Sequence, residues 1–513
     1  MALQVARFAA LAGLALSGLT SATPQVGIRQ ANETLGRGCA ALVRTGLSEQ
    51  LYFQGNTEYT ETLESYYDGA VQEVTPRCIF KPETTEQVSA ALKALSAEGG
   101  NCWTVAIRSG GHSPVPNNNA QNGVTIDLGR LDSVTYSEDA GVEKGHGIAS
   151  IGSGARWGDV YTQLEKQGAM VTGGREGHVG VGGFLLGGGF SWQSGKYGMA
   201  CDSVVRYEVV LANGTVVTAT STTHHDLWKS LKGGLNNLGL VTRFDMQAFP
   251  AHDAYGGIMA FPYTQAAALF ETFDAMIRNN PQNPAEHGFV SLSWSPASGS
   301  SAAFVLANVD GVANSTSFAG LGDLNPIIDT RARTPISGLV KQLEGGLGLY
   351  NVWFTSTFHS SLSMARKIIQ VFDDLSADVK DTLNPTDQII FLATPLPTNY
   401  AGHGENILGL NEGAYEPSMV IQAEALLSTP EHKQLLTEKL EYALEHTLAT
   451  WAAATHQRTR WKYLNYANPR QDVWWTIGEN RFFLRRTAQM YDPTGFFQAR
   501  VSGGFKISQV DED

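Results

Sequence analysis

The stretch Arg108-Ser109-Gly110-Gly111-His112-Ser113 stands between two short apolar segments, residues 104–107 and 123–128, which predict β-strands. Two adjacent glycines let a backbone approach a ligand closely and leave amide donors exposed. Arg108 and Ser109 add side chains that bind anions. The stretch therefore predicts a loop that cradles an anionic ligand, with His112 facing that ligand. A phosphate-binding turn with an incidental histidine is the simpler alternative.

A second glycine-rich segment follows at residues 173–189. It begins Gly173-Gly174-Arg175-Glu176-Gly177-His178-Val179-Gly180-Val181-Gly182-Gly183 and ends in a glycine triplet at 187–189. Its glycines do not have the G-x-G-x-x-G spacing of a Rossmann nucleotide site, and the sequence has no P-loop signature. We interpret the segment as extended backbone along a cofactor, where side chains would clash. A glycine-rich surface loop is the alternative.

Two more segments complete the pattern. One is Lys232-Gly233-Gly234-Leu235-Asn236-Asn237-Leu238-Gly239-Leu240-Val241-Thr242, and the other runs from Tyr463-Leu464-Asn465-Tyr466 through 480–485 to 491–497. In this order the segments resemble the motifs of the berberine-bridge-enzyme-like flavoproteins, a branch of the vanillyl-alcohol oxidase superfamily. The resemblance implies an α+β fold, with a two-lobed PCMH-type FAD-binding domain and a substrate domain of antiparallel sheet backed by helices.

The resemblance implies one FAD, bonded covalently through His112. Relatives with a second attachment use a cysteine in C-x-x-V-G, and that position is Glu176 here, so we expect a single bond. Val179 takes the position of a residue that gates oxygen, where valine goes with oxidases. The implied cofactor-binding residues are His112, Arg108, Ser109, Gly110, Gly111, Ser113, Gly174, Val179, Gly180, Gly182, Gly183, Gly189, Gly239, Val241, Asn465 and Asn480.

A flavin oxidase also needs a base that removes a proton from its substrate. The resemblance assigns this role to Tyr466, the second tyrosine of Y-x-N-Y, with Tyr463 as the fallback. Packing of both tyrosines against the flavin is the structural alternative. His178 is a candidate for a role beside the flavin ring, although a satisfied histidine that faces away is the preferred interpretation. His359 and His403 are candidates for the substrate cleft. No metal site is predicted, because the paired histidines at 224–225 lack a pattern for a third ligand.

The formal net charge of −13 argues against nucleic acids and anionic membranes as partners. Residues 8–19 are a short apolar run followed by Thr20-Ser21-Ala22, which predicts a secretory signal peptide cleaved after Ala22. The run is too short to span a bilayer. We therefore expect a secreted or secretory-pathway monomer whose partners are a small-molecule substrate and dioxygen.

The chain has 513 residues, too many for a single core. The expected organisation is a signal peptide at 1–22, an FAD-binding domain with an N-terminal arm at 23–250, a substrate-binding domain at 251–460, and a segment at 461–513 that returns to the FAD-binding domain. Apolar periodicity predicts helices at 86–97, 363–375 and 431–451, and strands at 291–294, 303–306 and 352–355.

The four cysteines are Cys39, Cys78, Cys102 and Cys201. An even number in a secreted protein predicts a disulfide, and four cysteines allow three connectivities. The resemblance implies a Cys39–Cys102 bond, although Cys78 competes for Cys39, and Cys201 could equally be a buried free thiol. Candidate glycosylation sequons begin at Asn32, Asn213 and Asn314.

Our leading functional hypothesis is an FAD-dependent oxidase. It would transfer a hydride from a small secondary-metabolite alcohol or amine to FAD and then reduce dioxygen to hydrogen peroxide. The alternatives are a carbohydrate (oligosaccharide) oxidase and a pericyclase that causes no net oxidation. A protein that only binds its ligand is disfavoured, because both His112 and Tyr466 are present.

Overall fold

The computed structural model describes residues 35–100, 103–138, 147–410, 416–501 and 503–509. The predicted signal peptide, the sequon at Asn32 and Cys102 lie outside these residues. Within them, no helix combines the length and apolarity that a membrane span requires.

The first sheet presents the loop that contains His112. Its strands are β1 (Leu51–Tyr52), β2 (Cys78–Phe80), β3 (Val105–Arg108) and β4 (Val124–Asp127), in the order β1-β2-β4-β3. Strand β4 is parallel to both β2 and β3. The predicted helix forms as Thr85–Ala97 between β2 and β3, and the Thr84 side chain caps it by accepting a hydrogen bond from the Gln87 amide at 3.3 Å. The histidine loop leaves β3 at the carboxyl end of that strand.

The second sheet is antiparallel and packs beside the first. Its strands are β5 (Val134–Ser137), β6 (Ile148–Gly152), β8 (Val204–Val210), β9 (Val216–Thr220) and β10 (Leu240–Gln247), in the order β5-β6-β10-β8-β9. The Asn213-Gly214 turn joins β8 to β9, and Gly214 has φ 83°, a value that glycine adopts without strain. A short pair, β7 (Ala169–Met170) with β11 (Phe249–Pro250), lies outside this order.

The third sheet is larger and fully antiparallel. Its order is β15-β12-β14-β13-β18-β19-β17, and β16 also pairs with β12. The strands are β12 (Ala254–Pro262), β13 (Glu286–Ser295), β14 (Gly299–Asn308), β15 (Ile328–Asp329), β16 (Ala332–Thr334), β17 (Tyr350–His359), β18 (Gln388–Leu396) and β19 (Ser418–Leu427).

Side-chain alternation gives this sheet two different faces. On β19, Met419, Ile421 and Ala423 pack with helices in one apolar cluster. Gln422 and Glu424, at the alternate positions of the same strand, point to the opposite face and line a cavity. The period of two therefore sends one set of residues to the core and the other to the candidate site.

Helices cover the outer face of the third sheet and support the other two. The described α-helices are Arg37–Arg44, Thr57–Glu64, Gly69–Gln72, Thr85–Ala97, Trp157–Glu165, Val181–Leu186, Ser194–Tyr197, His225–Leu231, Ala266–Asn279, Ile336–Lys341, Leu362–Val379, Lys433–Glu441, Ala449–Ala454, Asn480–Tyr491 and Phe496–Ala499. A π-helical turn, Tyr442–Leu448, joins two of them where the sequence predicts one helix at 431–451.

The C-terminal segment packs against the first sheet, and the Arg500 carbonyl accepts a hydrogen bond from the Val105 amide at 2.8 Å. The predicted α+β fold, with an antiparallel sheet backed by helices, is confirmed. The domain boundaries given above stay predictions.

The disulfide differs from the one that the resemblance implies. Cys39, in helix Arg37–Arg44, is bonded to Cys78 at the start of β2, so the Cys39–Cys102 pairing is wrong. The helix packs against helix Thr85–Ala97, which brings Cys39 and Cys78 into the same apolar cluster. Cys201 has no disulfide partner among the described residues, and burial raises the pKa of its thiol.

Candidate active site

A cavity of about 500 Å³ lies between the glycine-rich loops and the inner face of the third sheet. Most of the residues that the resemblance assigns to the cofactor or to catalysis line it. These are His112, Ser109, Gly110, Gly111, Ser113, Gly174, Val179, Gly180, Gly182, Gly183, Gly239, Val241, Asn465, Tyr463 and Tyr466.

The two glycine-rich segments cross in backbone contact at one edge of the cavity. A Cβ atom on Gly110 would lie 2.5 Å from the Gly180 nitrogen, and one on Gly180 would lie 2.2 Å from the Gly110 nitrogen. Ser109 fixes the crossing, since its Oγ donates to the Ser153 carbonyl at 2.6 Å and accepts from the Gly182 amide at 3.1 Å. Only glycine permits this approach, and the result is a surface of bare backbone facing the cavity.

His112 follows the crossing and is held by aromatic side chains. Its ring stacks on Tyr67 at 4.1 Å between centroids, and Trp353 lies 6.3 Å away. Burial lowers the pKa of His112 to about 3, and the charges of Arg156 and His178 add to the effect. Its Nδ1 atom is buried and has no hydrogen-bond partner among the described residues. The imidazole is therefore neutral and has one ring nitrogen without a protein partner.

Three of the residues assigned to cofactor binding lie outside the cavity lining, and their assignments stay predictions. Arg108 points the other way, into a buried ion pair with Asp127 at 2.9 Å. Gly189 is packed against Phe184 and Ala200. Asn480 begins the helix Asn480–Tyr491. Arg108 anchors the start of the histidine loop through its ion pair with Asp127. Gly189 allows the second glycine-rich segment to turn, because its φ of 88° is one that glycine adopts without strain.

Tyr463 is buried and structural. Its Oη accepts hydrogen bonds from the Phe190 amide and from Asn465 Nδ2, both at 3.0 Å. Burial raises the pKa of Tyr463, and the neighbouring Tyr466 adds to that rise. The Tyr463 hydroxyl therefore fixes the backbone at Phe190, directly after the second glycine-rich segment, and its role as the fallback base stays a prediction.

Tyr466 is half-buried and lines the cavity. Arg175 Nη2 donates to Tyr466 Oη at 2.6 Å. Trp353 and Tyr463 meet the Tyr466 ring edge-on, at 6.3 Å and 4.7 Å between centroids. Trp353 and Tyr463 therefore restrict the Tyr466 ring, and the Arg175 guanidinium fixes its oxygen.

Sequence reasoning missed the wall that the third sheet contributes. Trp353 on β17 pairs with Glu424 on β19, and both line the cavity with Gln422. Gln422 donates a short hydrogen bond to Glu424, and burial raises the pKa of Glu424 to about 8. The sequence pattern that could have identified Gln422 and Glu424 as site residues is their placement at alternate positions of a largely apolar strand. Arg175 also carried a signal, as a charged residue inside a glycine-rich segment.

Two of the remaining histidine candidates, His178 and His403, lie in different environments. His178 lies close to Glu176 and Glu344, with N–O distances of 3.4 Å and 3.7 Å, and is partly exposed. His403 lies outside the cavity lining and contacts the Asn399 carbonyl at 2.7 Å. Among the described residues, no three His, Cys, Asp or Glu side chains are grouped to hold a metal ion.

These features fit a flavin dinucleotide. The cradle is free of side chains where the two glycine loops cross. Residues from the N-terminal, central and C-terminal parts of the described chain line the cavity beside it. The unpartnered Nδ1 of His112 stands at the edge of that cradle. Ser109, Gly110, Gly111, Val179 and Gly182 are the residues that would hold the cofactor.

Comparison with known proteins agrees with this fit. A family profile described as "FAD binding domain" matches residues 76–220. The FAD-dependent monooxygenase drtC of Aspergillus calidoustus is 33% identical over 93% of this chain and 91% of its own length. The FAD-dependent monooxygenase sdcF of Emericella nidulans is 31% identical over 92% of this chain and 98% of its own length.

Solved structures share the fold at lower identity. A glucooligosaccharide oxidase from Acremonium strictum has a TM-score of 0.70 at 18% identity and covers 91% of this chain and 99% of its own. A berberine bridge enzyme variant has a TM-score of 0.70 at 16% identity and covers 91% of this chain and 100% of its own. The solved structures show the shared fold. The sequence relatives and the FAD-binding profile show that this chain belongs to a family of FAD-dependent oxidoreductases.

Proposed function

We propose that this protein is an FAD-dependent oxidase of small organic alcohols or amines, with the cofactor bonded through His112 alone. One observation carries the proposal: the glycine loops, His112 and Tyr466 line the same cavity. When bound, FAD would supply the hydride acceptor and pass two electrons to dioxygen, so that hydrogen peroxide forms.

The attachment is supported by the state of His112. A neutral imidazole with an unpartnered Nδ1 has a lone pair available for a bond to carbon. The solved glucooligosaccharide oxidase is described as having a 6-S-cysteinyl, 8α-N1-histidyl FAD, and N1 of a histidine corresponds to Nδ1. Glu176 occupies the position where the sequence motif has the second attaching cysteine. A single histidyl bond is therefore the proposal for this chain.

Tyr466 is the proposed proton acceptor. Tyr466 lines the cavity beside the residues that would hold the cofactor, and the edge-on contacts with Trp353 and Tyr463 restrict its ring. A general base must lie within hydrogen-bond distance of the proton that it removes, and its side chain must be held in a fixed orientation. Tyr463 is the weaker candidate, because its hydroxyl already accepts hydrogen bonds from two protein donors.

The lining of the cavity favours a small, largely apolar substrate over an oligosaccharide. The third sheet contributes Phe289, Trp353 and Leu392 to the cavity lining, and its polar side chains there are Gln422 and Glu424. Each buried sugar hydroxyl needs a hydrogen-bond partner, and this wall offers few of them. A ring-containing metabolite with one or two polar groups matches it better.

A monooxygenase is the second candidate, because drtC and sdcF are named FAD-dependent monooxygenases. The two reactions differ in the fate of dioxygen. An oxidase reduces both oxygen atoms to peroxide with the electrons of its substrate. A monooxygenase places one atom in the product and the other in water, and it needs two further electrons from a reductant.

The experiment supplies a panel of aromatic and alicyclic alcohols and amines, with xylo- and cello-oligosaccharides, under ¹⁸O₂, in parallel reactions without and with NADPH as the added reductant. We expect one peroxide per product, no ¹⁸O in the product, and a strong loss of rate in Tyr466→Phe. Label in the product would establish the monooxygenase instead. Isomerisation without oxygen uptake would establish a pericyclase, and turnover of the oligosaccharides alone would establish a carbohydrate oxidase.

We also propose secretion, on the strength of residues 1–22 and the sequons at Asn213 and Asn314, whose side chains are exposed. A shift in mass of the secreted protein after removal of N-glycans, mapped to these asparagines, tests it. Retention of the protein inside the producing cell with an intact N-terminus would contradict it.

A further inference from the structure

Tyr67 lies between the histidine loop and the third sheet, and neither the sequence motifs nor the comparisons give it a role. Its ring stacks on the His112 imidazole, with 4.1 Å between the ring centroids and 26° between the ring planes. Its backbone amide donates to the Gly111 carbonyl at 3.1 Å, and its carbonyl accepts from the Gly348 amide at 2.9 Å. Tyr67 therefore contacts His112 through its ring and the residue before His112 through its backbone.

The next residue, Asp68, anchors Tyr67 to the third sheet. Asp68 is fully buried, and its Oδ2 accepts hydrogen bonds from the Asn351 amide at 2.6 Å and from Asn351 Nδ2 at 3.2 Å. Its Oδ1 caps the helix Gly69–Gln72 and lies 3.3 Å from Lys433 Nζ. A buried carboxylate is stable only when it is paired and hydrogen-bonded, and Asp68 meets both conditions. The backbone at Tyr67 is therefore held firmly against β17.

The stack contacts a face of the His112 imidazole rather than its edge. The lone pair of a ring nitrogen lies in the plane of the ring, so a carbon that bonds to the nitrogen has to approach along the edge. His112 Nδ1 has no hydrogen-bond partner among the described residues. Trp353 packs beside both rings, at 5.6 Å from Tyr67 and 6.3 Å from His112. These contacts restrict the plane of the imidazole and leave Nδ1 without a protein partner in that plane.

The attachment proposed above depends on that plane. A bond forms between His112 Nδ1 and the 8α carbon of the flavin, while one hydrogen is lost from that carbon and one from Nε2 of the imidazole. The two electrons reduce the flavin and then pass, with the two protons, to dioxygen, which becomes hydrogen peroxide. A displacement of about 1 Å can slow such a reaction by about 10²-fold, because the reacting atoms must be held in one geometry.

We infer that Tyr67 is the positioning residue for covalent attachment of the cofactor: it fixes the plane of the His112 imidazole, and Asp68 holds Tyr67 in place against β17. The inference rests on the proposed bond through His112. It adds the side chain that orients the nitrogen for that bond.

The test follows the attachment itself and needs no substrate. Full-length protein is produced in a riboflavin-starved host and then supplied with FAD. Samples taken over time are denatured in detergent, and the flavin fluorescence that stays with the protein measures the covalent bond. Gel filtration of undenatured samples measures all bound FAD. The rate of bond formation per bound FAD is the quantity compared, because a purely structural role of Tyr67 would lower the amount of bound FAD without changing that rate.

We expect Tyr67→Leu, which removes the stack, to bind FAD but to form the bond about 10–100-fold more slowly than wild type. Tyr67→Phe keeps the ring and should form it at the wild-type rate. Tyr442→Leu is the matched control, because Tyr442 also stacks on a histidine, His446, at 5.4 Å between centroids. Tyr442 is 65% exposed and lies outside the cavity lining, so its removal should leave the rate unchanged.

A wild-type rate of bond formation in Tyr67→Leu would overturn the inference, and so would a rate in Tyr67→Phe as low as that in Tyr67→Leu. If Tyr67→Leu does not fold, Tyr67→Met replaces it, as another apolar residue without a ring, and the same outcomes apply. The assay separates this inference from the proposed function. Wild-type protein that forms no covalent flavin would refute the proposed bond and the inference together, whereas bond formation that does not depend on the Tyr67 ring would refute the inference alone.

Discussion

The crossing of the two glycine loops gives a sharp test of the cofactor cradle. Gly180 has φ −75° and ψ 143°, a conformation that alanine adopts without strain. A substitution there therefore acts through contacts alone. In Gly180→Ala the new methyl would lie 2.2 Å from the Gly110 nitrogen and 2.6 Å from both Gly110 Cα and Ser109 Oγ.

The size of the effect follows from those distances. Ordinary contacts begin near 3.4 Å, so the backbone at Gly110 must retreat by about 1.2 Å. Over-packing of this kind costs about 1–3 kcal/mol, at the upper end here because backbone atoms are the obstacle. Loss of the hydrogen bond between the Gly182 amide and Ser109 Oγ adds about 1 kcal/mol. We expect Gly180→Ala to destabilise the protein by about 4 kcal/mol and to displace His112.

Denaturant unfolding followed by circular dichroism measures the stability, and the ratio of flavin to protein absorbance measures the cofactor. Gly322→Ala is the matched control, because Gly322 is exposed and a methyl group added to it would meet no atom within 4 Å. The control should match wild type in both measurements. Wild-type stability and a full complement of covalent flavin in Gly180→Ala would show that the loops do not form this cradle.

Three further predictions concern catalysis, pH and the disulfide. Tyr466→Phe should slow flavin reduction by about 10²–10⁴-fold in stopped-flow measurements with FAD still bound. Tyr463→Phe should instead lower stability, because the buried Phe190 amide and the part-buried Asn465 side chain lose their acceptor, and equal kinetic losses in both variants would contradict this division. Burial favours the protonated form of Glu424 in the folded state, so that contribution is complete below about pH 4.5 and is lost as the pH rises through about 8. The stability of Glu424→Gln relative to wild type should therefore be greater at pH 9 than at pH 5, and a pH-independent difference in denaturant unfolding would refute it. Replacing Cys39 and Cys78 by serine removes a link across 39 residues and should cost about 4 kcal/mol, whereas peptide mapping that finds Cys39 joined to another cysteine would exclude this pairing.

Local signals in the sequence were sufficient for the helix Thr85–Ala97 and for the hairpin of β8 and β9. An apolar period near 3.6 with a threonine cap predicts the former, and Asn213-Gly214 between alternating residues predicts the latter. The glycine motifs likewise predicted the loops that line the cavity, because two backbone segments can approach this closely only where the residues are glycine.

Residues whose role depends on tertiary contacts were not accessible in this way. Arg175 meets His287 and Tyr466, which are 112 and 291 positions away, and no local pattern encodes those distances. The partner of Cys39 was decided by how the first helix packs on Thr85–Ala97. Glu424 became part of the site only because β19 lies in the sheet with its even-numbered side chains toward the cavity.

The state of the flavin after denaturation tests the central claim most directly. Acid-precipitated protein, washed free of loose cofactor and digested, is mapped by mass spectrometry for a flavin-bearing peptide. We predict that the flavin stays with the pellet, on the one peptide that contains His112, and that His112→Ala releases it to the supernatant. Complete release of flavin from the wild-type protein, or its attachment to a different residue, would contradict the account.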